Sequence, residues 1–169
     1  MPTHGIKIRE CKLEIKALHH DWGEISIKDE NKGRANMWCR YSFTLTEEGH
    51  EAKDLITAFA GIRSIGINRD WTRIDKERLL VKYSIDHENG SIKIVGEKEK
   101  PEQGCNVEFT KLSVNLQKEY YTFGLEAFGK GVDVKKNLEI AVAEVFDKAN
   151  IHGLTNECSM TYPEFLERL

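Results

Sequence analysis

The Asn89-Gly90 dipeptide is the sequence feature that most constrains the fold, because alternating apolar residues flank it on both sides. The alternation covers residues 81–85 before the dipeptide and residues 92–94 after it. Asn-Gly is typical of a two-residue type I′ turn, since both central residues of that turn need a positive φ. We therefore predict an antiparallel hairpin with Ile85 opposite Ile94. The same register creates two opposite-charge pairs across the hairpin: Asp86 with Lys93, and Lys82 with Glu97.

Period-two alternation predicts further strands on either side of this hairpin. The alternation changes phase once near Arg9-Glu10, and we interpret that change as a β-bulge within one strand. A second phase change falls between Phe109 and Leu112. The predicted strands cover residues 6–18, 25–27, 37–45, 107–116 and 121–127.

Two stretches have helical spacing. Residues 46–61 begin with a potential N-cap at Thr46 and end at a glycine. A second helix begins at Asp133 and ends before Gly153, with an apolar stripe on one face. The stripe consists of Leu138, Ala141, Val142, Val145 and Ala149. Residues 154–169 form a tail in which Thr161 and Glu164 have the spacing of a capping box, which indicates a short helix.

The predicted element order is β-β-β-α-β-β-β-β-α. This order favours an α+β fold in which an antiparallel sheet of about six to seven strands carries two helices packed on one face. The length of 169 residues matches one domain, so we expect a single domain over residues 1–169.

Composition excludes some classes of function. The net charge of −3 disfavours a general nucleic-acid binder, and no apolar run is long enough to cross a membrane. The first ten residues lack the apolar stretch of a signal peptide, and the four cysteines lie far apart. We therefore expect a cytoplasmic protein with reduced thiols.

The segment of residues 62–78 is the strongest candidate for partner binding. It links a predicted helix to a predicted strand as a long loop, and long loops in compact domains are often functional. It is rich in arginine around a tryptophan, residue types that are enriched at binding hot spots and that also contact nucleic acid. A protein partner is favoured, and nucleic acid is possible. The candidate residues are Arg63, Arg69, Trp71, Arg73 and Arg78.

Two alternatives stay open for the tryptophans. Residues 62–78 could instead contain a short helix or 3₁₀ turn with Trp71 in the core. Trp38 has the opposite phase to its apolar neighbours, so it either lies at an interface or is covered as part of the core.

Motifs for chemistry are weak. Gly129-Lys130-Gly131 favours a loop glycine pair over an anion site, since the Walker and dinucleotide patterns are absent. His19-His20-Asp21 favours a surface turn over a metal site, because neighbouring strand residues point to opposite faces. We predict no cofactor, no metal site and no catalytic residues.

Three functions fit these observations. The leading hypothesis is a non-enzymatic binding protein, such as an inhibitor, an immunity-type protein or an adaptor, that docks on another macromolecule. The first alternative is a small-ligand carrier or sensor with a pocket between the sheet and the C-terminal helix. Its lining residues would be Tyr41, Tyr83, Phe109, Tyr121 and Phe123. The second alternative is a small enzyme whose site is assembled from scattered residues.

Overall fold

The computed structural model describes residues 3–9, 12–28, 31–44, 72–131 and 133–169. Seven antiparallel strands and two α-helices lie among these residues, which confirms the α+β class and the number of strands. The strands form two sheets, one of three strands and one of four, rather than one continuous sheet. The helix predicted over residues 46–61 lies outside the described residues.

The chain divides into two compact units. The first contains the described residues of Met1–Ser26, Asn31–Thr72 and Gly153–Leu169, and the second contains those of Ile27–Glu30 and Arg73–His152. A single domain over the whole chain stays a prediction.

The first unit is built on a three-stranded sheet in the order β1-β2-β3. Its strands are β1 (His4–Arg9), β2 (Lys12–Ser26) and β3 (Lys32–Thr44). The bulge predicted near Arg9 is wrong, because Arg9 lies opposite Lys12 on a separate antiparallel strand. This chain reversal explains the phase change, since it places Ile8 beside Leu13 on one face. The short strand predicted over residues 25–27 is the end of β2.

Residues after Gly153 complete the first unit. A 3₁₀ helix (Asn156–Cys158) and a short helix, α2 (Tyr162–Glu167), follow each other there. The Asn31 side-chain oxygen accepts a hydrogen bond from the Leu154 N–H at 3.0 Å, and the Lys32 N–H donates to the Leu154 carbonyl oxygen at 2.8 Å. Arg34 also pairs with Glu164 at 3.1 Å. The tail is therefore tied to the start of β3.

The tail helix begins with a complete capping box. The Thr161 hydroxyl accepts a hydrogen bond from the Glu164 N–H, and the Glu164 carboxylate accepts one from the Thr161 N–H. Two of the free N–H groups at the start of α2 are satisfied by this pair.

The second unit is built on a four-stranded sheet in the order β5-β4-β6-β7. Its strands are β4 (Ile74–Asp86), β5 (Ser91–Val95), β6 (Gly104–Val114) and β7 (Lys118–Phe128). Because β4 begins at Ile74, residues 74–78 are part of a strand, and the prediction of a loop that extends to residue 78 is wrong there. The phase change in β6 involves no bulge, since its pairing with both neighbours is continuous.

The register of the β4-β5 hairpin differs from the predicted one by two residues. Ile85 lies opposite Ile92, not Ile94, and the loop has four residues. The cause is Asp86, whose carboxylate accepts hydrogen bonds from the N–H of Glu88 and the side-chain amide of Asn89. A shift of two residues keeps every side chain on its predicted face.

The core of the second unit lies between the sheet and α1 (Asp133–Lys148). Ile85, Cys105 and Ala141 form its centre, and Leu125 and Ala127 pack against them. The predicted stripe is buried at Ala141, Val142 and Val145, and Asn137 and Phe146 are buried with it. No helix among the described residues is long and apolar enough to cross a membrane.

A buried hydrogen-bond network anchors the start of α1. Asn137 is fully buried, and its amide nitrogen donates to the Phe128 carbonyl oxygen at 2.8 Å. Its side-chain oxygen lies 2.6 Å from Nε2 of His87. The helix is thereby joined to the end of β7 and to the loop of the β4-β5 hairpin.

Candidate functional site

Strand alternation places the odd-numbered residues of β4, β6 and β7 on one face of the four-stranded sheet. Leu79 lies opposite Phe109, and Phe109 lies opposite Phe123, so the three side chains form a row across the sheet. Val81 lies opposite Val107 in the next row. Residues directly opposite in an antiparallel pair share a face, so these rows form a continuous apolar surface.

Part of this surface is exposed. Ile94 on β5 shares this face because it lies opposite Tyr83 on β4. The exposed fractions are 72% for Leu79, 64% for Ile94, 62% for Tyr121, 46% for Phe109 and 41% for Val81. We call these five residues the apolar face. Single exposed apolar side chains are ordinary on protein surfaces, whereas a contiguous group of them is less common.

Helix α1 covers only one end of the sheet, and its coverage ends beside the apolar face. The ring of Phe146 on α1 contacts Phe123 edge to face, with ring centroids 6.2 Å apart. Next to Phe123 on the sheet, Phe109 stacks on Tyr121 at 5.9 Å between ring centroids. The apolar face therefore continues the core along the sheet through aromatic contacts.

Charged residues border the apolar face at the far end from α1. Glu77 lies opposite Lys111, and the Lys111 ammonium contacts Glu119 at 2.7 Å. The hydrogen bond to Glu119 raises the pKa of Lys111. A shallow cleft of about 290 Å³ lies here, lined by Arg73, Asp75, Lys76, Glu77, Lys111, Ser113 and Leu116.

The structure separates the residues predicted to bind a partner. Arg63, Arg69 and Trp71 lie outside the described residues. Arg73 lines the charged cleft and contacts the Asp75 carboxylate at 3.0 and 3.2 Å. Arg78 points to the opposite face of the sheet, where it pairs with Glu108 at 3.1 Å. Trp38 is half-buried on β3 in the first unit, opposite Leu18.

Four of the five residues predicted to line a ligand pocket share one face of the four-stranded sheet. Tyr83 is buried, Phe123 is half-buried, and Phe109 and Tyr121 belong to the exposed apolar face. Tyr41 lies on β3 of the three-stranded sheet and is 55% exposed. The ligand-binding role of these residues stays a prediction.

The three-stranded sheet also exposes apolar side chains. Ile6 lies in a row with Ile15 and Tyr41, and Phe43 lies in the neighbouring row. Ile6 and Phe43 are each 51% exposed. This surface has three exposed apolar residues, Ile6, Tyr41 and Phe43, whereas the apolar face of the four-stranded sheet has five.

Three members of the apolar face, Leu79, Val81 and Ile94, were not predicted as site residues. The run Leu79-Leu80-Val81 could have indicated two of them, since consecutive apolar residues on a strand must lie on both faces of the sheet. Alternation does not predict exposure, because it shows which residues share a face of the sheet but not whether other elements cover that face.

Groups suited to chemistry are dispersed in the part of the chain that the structure describes. There, no three histidine, cysteine or acidic side chains are grouped so that they could hold a metal ion. Cys105 is fully buried in the core of the second unit, not in a loop, and burial raises the pKa of its thiol to about 12. A thiol with that pKa is protonated and unreactive at neutral pH.

Comparison with known protein families, with curated proteins and with solved structures found no match.

Proposed function

We propose that this chain is a non-enzymatic binding protein that docks on another protein through the apolar face. The observation that carries the proposal is the exposure of Leu79, Ile94 and Tyr121 on one surface, each by more than 60%. Burial of such side chains against a partner removes apolar area from water, which is the main favourable contribution to protein association. An inhibitor, an immunity-type protein or an adaptor would use the surface in this way.

The composition of the surface resembles that of a protein interface. Aromatic residues form its centre, and charged residues lie at its edge, where contacts determine orientation more than affinity. The stacked pair of Phe109 and Tyr121 is already ordered, so little side-chain entropy is lost on binding. Arg73 lies in the charged cleft at this edge, so the proposed interface includes one residue of the arginine-rich segment.

A cytoplasmic location is part of the same proposal. Cys39, Cys105 and Cys158 are free thiols, which are typical of a reducing compartment. Cys158 is exposed and would be open to oxidation outside such a compartment.

The experiment compares partner binding by three variants of the full chain. Leu79→Lys and Ile94→Lys place a charge on the apolar face at its two most exposed positions. Leu169→Lys is the matched control, since Leu169 is 46% exposed and belongs to the first unit. A protein that copurifies with the wild-type chain from its source cells is itself purified, and its affinity for each variant is measured directly.

We expect each face variant to weaken binding by at least about 10-fold, while Leu169→Lys binds as the wild type does. Wild-type affinity in both face variants would contradict the proposal. Circular dichroism and thermal unfolding of each variant separate lost contact from lost folding.

A further inference from the structure

Strand β7 forms the outer edge of the four-stranded sheet, and within the described part of the chain it pairs only with β6. It has 11 residues, contains no proline and pairs with β6 without a register shift. Lys118, Tyr121, Gly124 and Glu126 on this strand are exposed, and a side chain added at Gly124 would meet no atom within 4 Å on its face of the sheet. A long, regular edge strand of this kind is a template for pairing with another strand.

The hydrogen-bond pattern of the sheet shows which residues of β7 present their backbone groups to this edge. The Ile85 N–H donates to the Gln103 carbonyl oxygen, so the odd-numbered residues of β4 bond toward β6. The odd-numbered residues of β6 therefore use their backbone groups to bond β4. Because bonding alternates along a strand, the even-numbered residues of β6 and β7 use their N–H and C=O groups to bond each other. The odd-numbered residues of β7 therefore direct their N–H and C=O groups outward.

We propose that β7 pairs in antiparallel orientation with β7 of a second copy of this chain, with Thr122 on the twofold axis. The two four-stranded sheets then form one continuous sheet of eight strands. Odd-numbered residues form the hydrogen-bonded pairs of the new ladder, as their outward backbone groups require. The proposal concerns self-association and does not rest on the proposed partner-binding function.

Charge and shape match in this register. Lys118 lies opposite Glu126 of the second copy, and the symmetry repeats this opposite-charge pair. Tyr121 of each copy lies opposite Phe123 of the other, so the symmetry gives two aromatic pairs. These pairs lie on the same side of the sheet as the apolar face. Tyr120 lies opposite Gly124, where there is room for a ring beside the open glycine.

Neighbouring registers lose this match. With Phe123 on the axis, Lys118 lies opposite Phe128, and the opposite-charge pairs are absent. With Tyr121 on the axis, Lys118 lies opposite Gly124. Register in a sheet is set by such side-chain pairs, so the match selects Thr122 as the centre.

The first test exchanges charges across the axis. Lys118→Glu alone and Glu126→Lys alone each place two like-charge pairs in the interface, and we expect each to raise the dimer dissociation constant by about 10-fold. The double variant Lys118→Glu/Glu126→Lys restores both opposite-charge pairs and should return to the wild-type value. An equimolar mixture of the two single variants should form heterodimers, because each chain then carries the charge that complements the other. Sedimentation equilibrium measures all four samples.

The second test places a thiol on the axis. In the non-hydrogen-bonded pair at position 122 the two Cα atoms lie about 4.5 Å apart, which a disulfide can span. We expect Thr122→Cys to form a 122–122 disulfide on mild oxidation, identified by peptide mass spectrometry. Glu119→Cys is the control, since Glu119 is exposed and lies opposite Leu125 of the second copy, so no 119–119 linkage should form.

A chain that stays monomeric over a wide concentration range overturns the proposal, and so does a dimer that forms no 122–122 linkage. If β7 variants weaken binding of a foreign partner while the chain stays monomeric, the edge accepts a foreign strand and not a second copy. If the Lys118→Glu variant loses self-association but keeps its affinity for the partner, self-association and partner binding use different contacts.

Discussion

At the scale of single residues, close packing in the second unit depends on one glycine. Gly104 begins β6, and a Cβ atom at this position would lie 1.9 Å from the carbonyl oxygen of Tyr83 and 3.0 Å from the ring of Phe128. Backbone atoms cannot move away as a flexible side chain can, so β4 and β6 would have to separate.

We expect Gly104→Ala to lower the free energy of unfolding by about 2–4 kcal/mol. Gly124→Ala in the same sheet is the control, because its Cβ meets no atom within 4 Å, and its effect should stay within about 0.5 kcal/mol. Urea unfolding of the two variants measures the difference. Equal midpoints would show that the backbone contact at Gly104 imposes no constraint.

Glu14 is the buried charge of the three-stranded sheet, with 4% of its surface exposed. Lys7 contacts its carboxylate at 2.6 Å and Arg9 at 3.4 Å. The hydrogen bond to Lys7 is the largest cause of a lowered pKa for Glu14, the positive charges of Lys7, Arg9 and Arg40 add to it, and burial opposes it.

The lowered pKa of Glu14 gives stability a defined pH dependence. The ionised form stabilises the folded state above the ordinary value of 4.5, and this contribution is lost as the pH falls through the lower folded-state pKa. We expect Glu14→Gln to cost about 1–3 kcal/mol at neutral pH, with the difference from the wild type shrinking below pH 4.5. Urea unfolding as a function of pH measures it, and Lys7→Met should remove part of the same dependence. A constant difference across the pH range would exclude this role for Glu14.

At the scale of elements, the sequence predicts strands and faces better than registers and coverage. Alternation located β3 to β7 approximately, because burial of one face selects apolar residues with a period of two, but it merged β1 with the first part of β2 and separated the end of β2 as a strand of its own. It did not reveal that Asp86 binds the hairpin loop and moves the register, since Asn89-Gly90 alone favours a tighter turn. The buried Asn137 of α1 was missed for a related reason, as its partners His87 and Phe128 are distant in sequence.

The candidate site was predictable only in part. Phe109 and Tyr121 were selected as aromatic residues of the sheet, and their shared face follows from alternation. Their exposure depends on where α1 ends over the sheet, and that position is determined by three-dimensional packing around Phe123 and Phe146. Such packing cannot be predicted from the spacing of apolar residues in the sequence.

The attachment of the tail to the start of β3 can be tested by replacing one residue. Asn31 is 1% exposed, and its side chain holds the Leu154 N–H. We expect Asn31→Ala to leave this backbone group without its partner and to raise amide hydrogen exchange in residues 154–161 by about 10-fold or more. Asn36→Ala on β3 is the control, since the Asn36 side-chain amide donates to the Asp21 carboxylate. Unchanged exchange in the tail would mean that the other contacts of β3 suffice.

At the scale of the whole molecule, the two units differ in chain continuity. The second unit consists mainly of one uninterrupted stretch, Arg73–His152, whereas the first needs Gly153–Leu169 to return to strands made from the beginning of the chain. Contacts between distant parts of a chain carry a larger loop-closure cost and form later than local hairpins.

We therefore expect the second unit to fold first. In pulsed hydrogen-exchange labelling during refolding, amides of β6 and β7 should become protected before the Leu154 amide that bonds to Asn31. Mass spectrometry of peptides from the two regions measures the order. Protection of both regions in one step would show that the chain folds as a single cooperative body.

The discontinuity of the first unit has a consequence for synthesis in the cell. A ribosome makes β1, β2 and β3 first and residues 153–169 more than a hundred residues later. Throughout that interval the nascent β3 lacks the segment that binds Asn31 and Arg34. The three-stranded sheet is thus completed only after the whole second unit has been synthesised, and a translational pause before residue 153 would prolong the time during which Asn31 lacks its backbone partner.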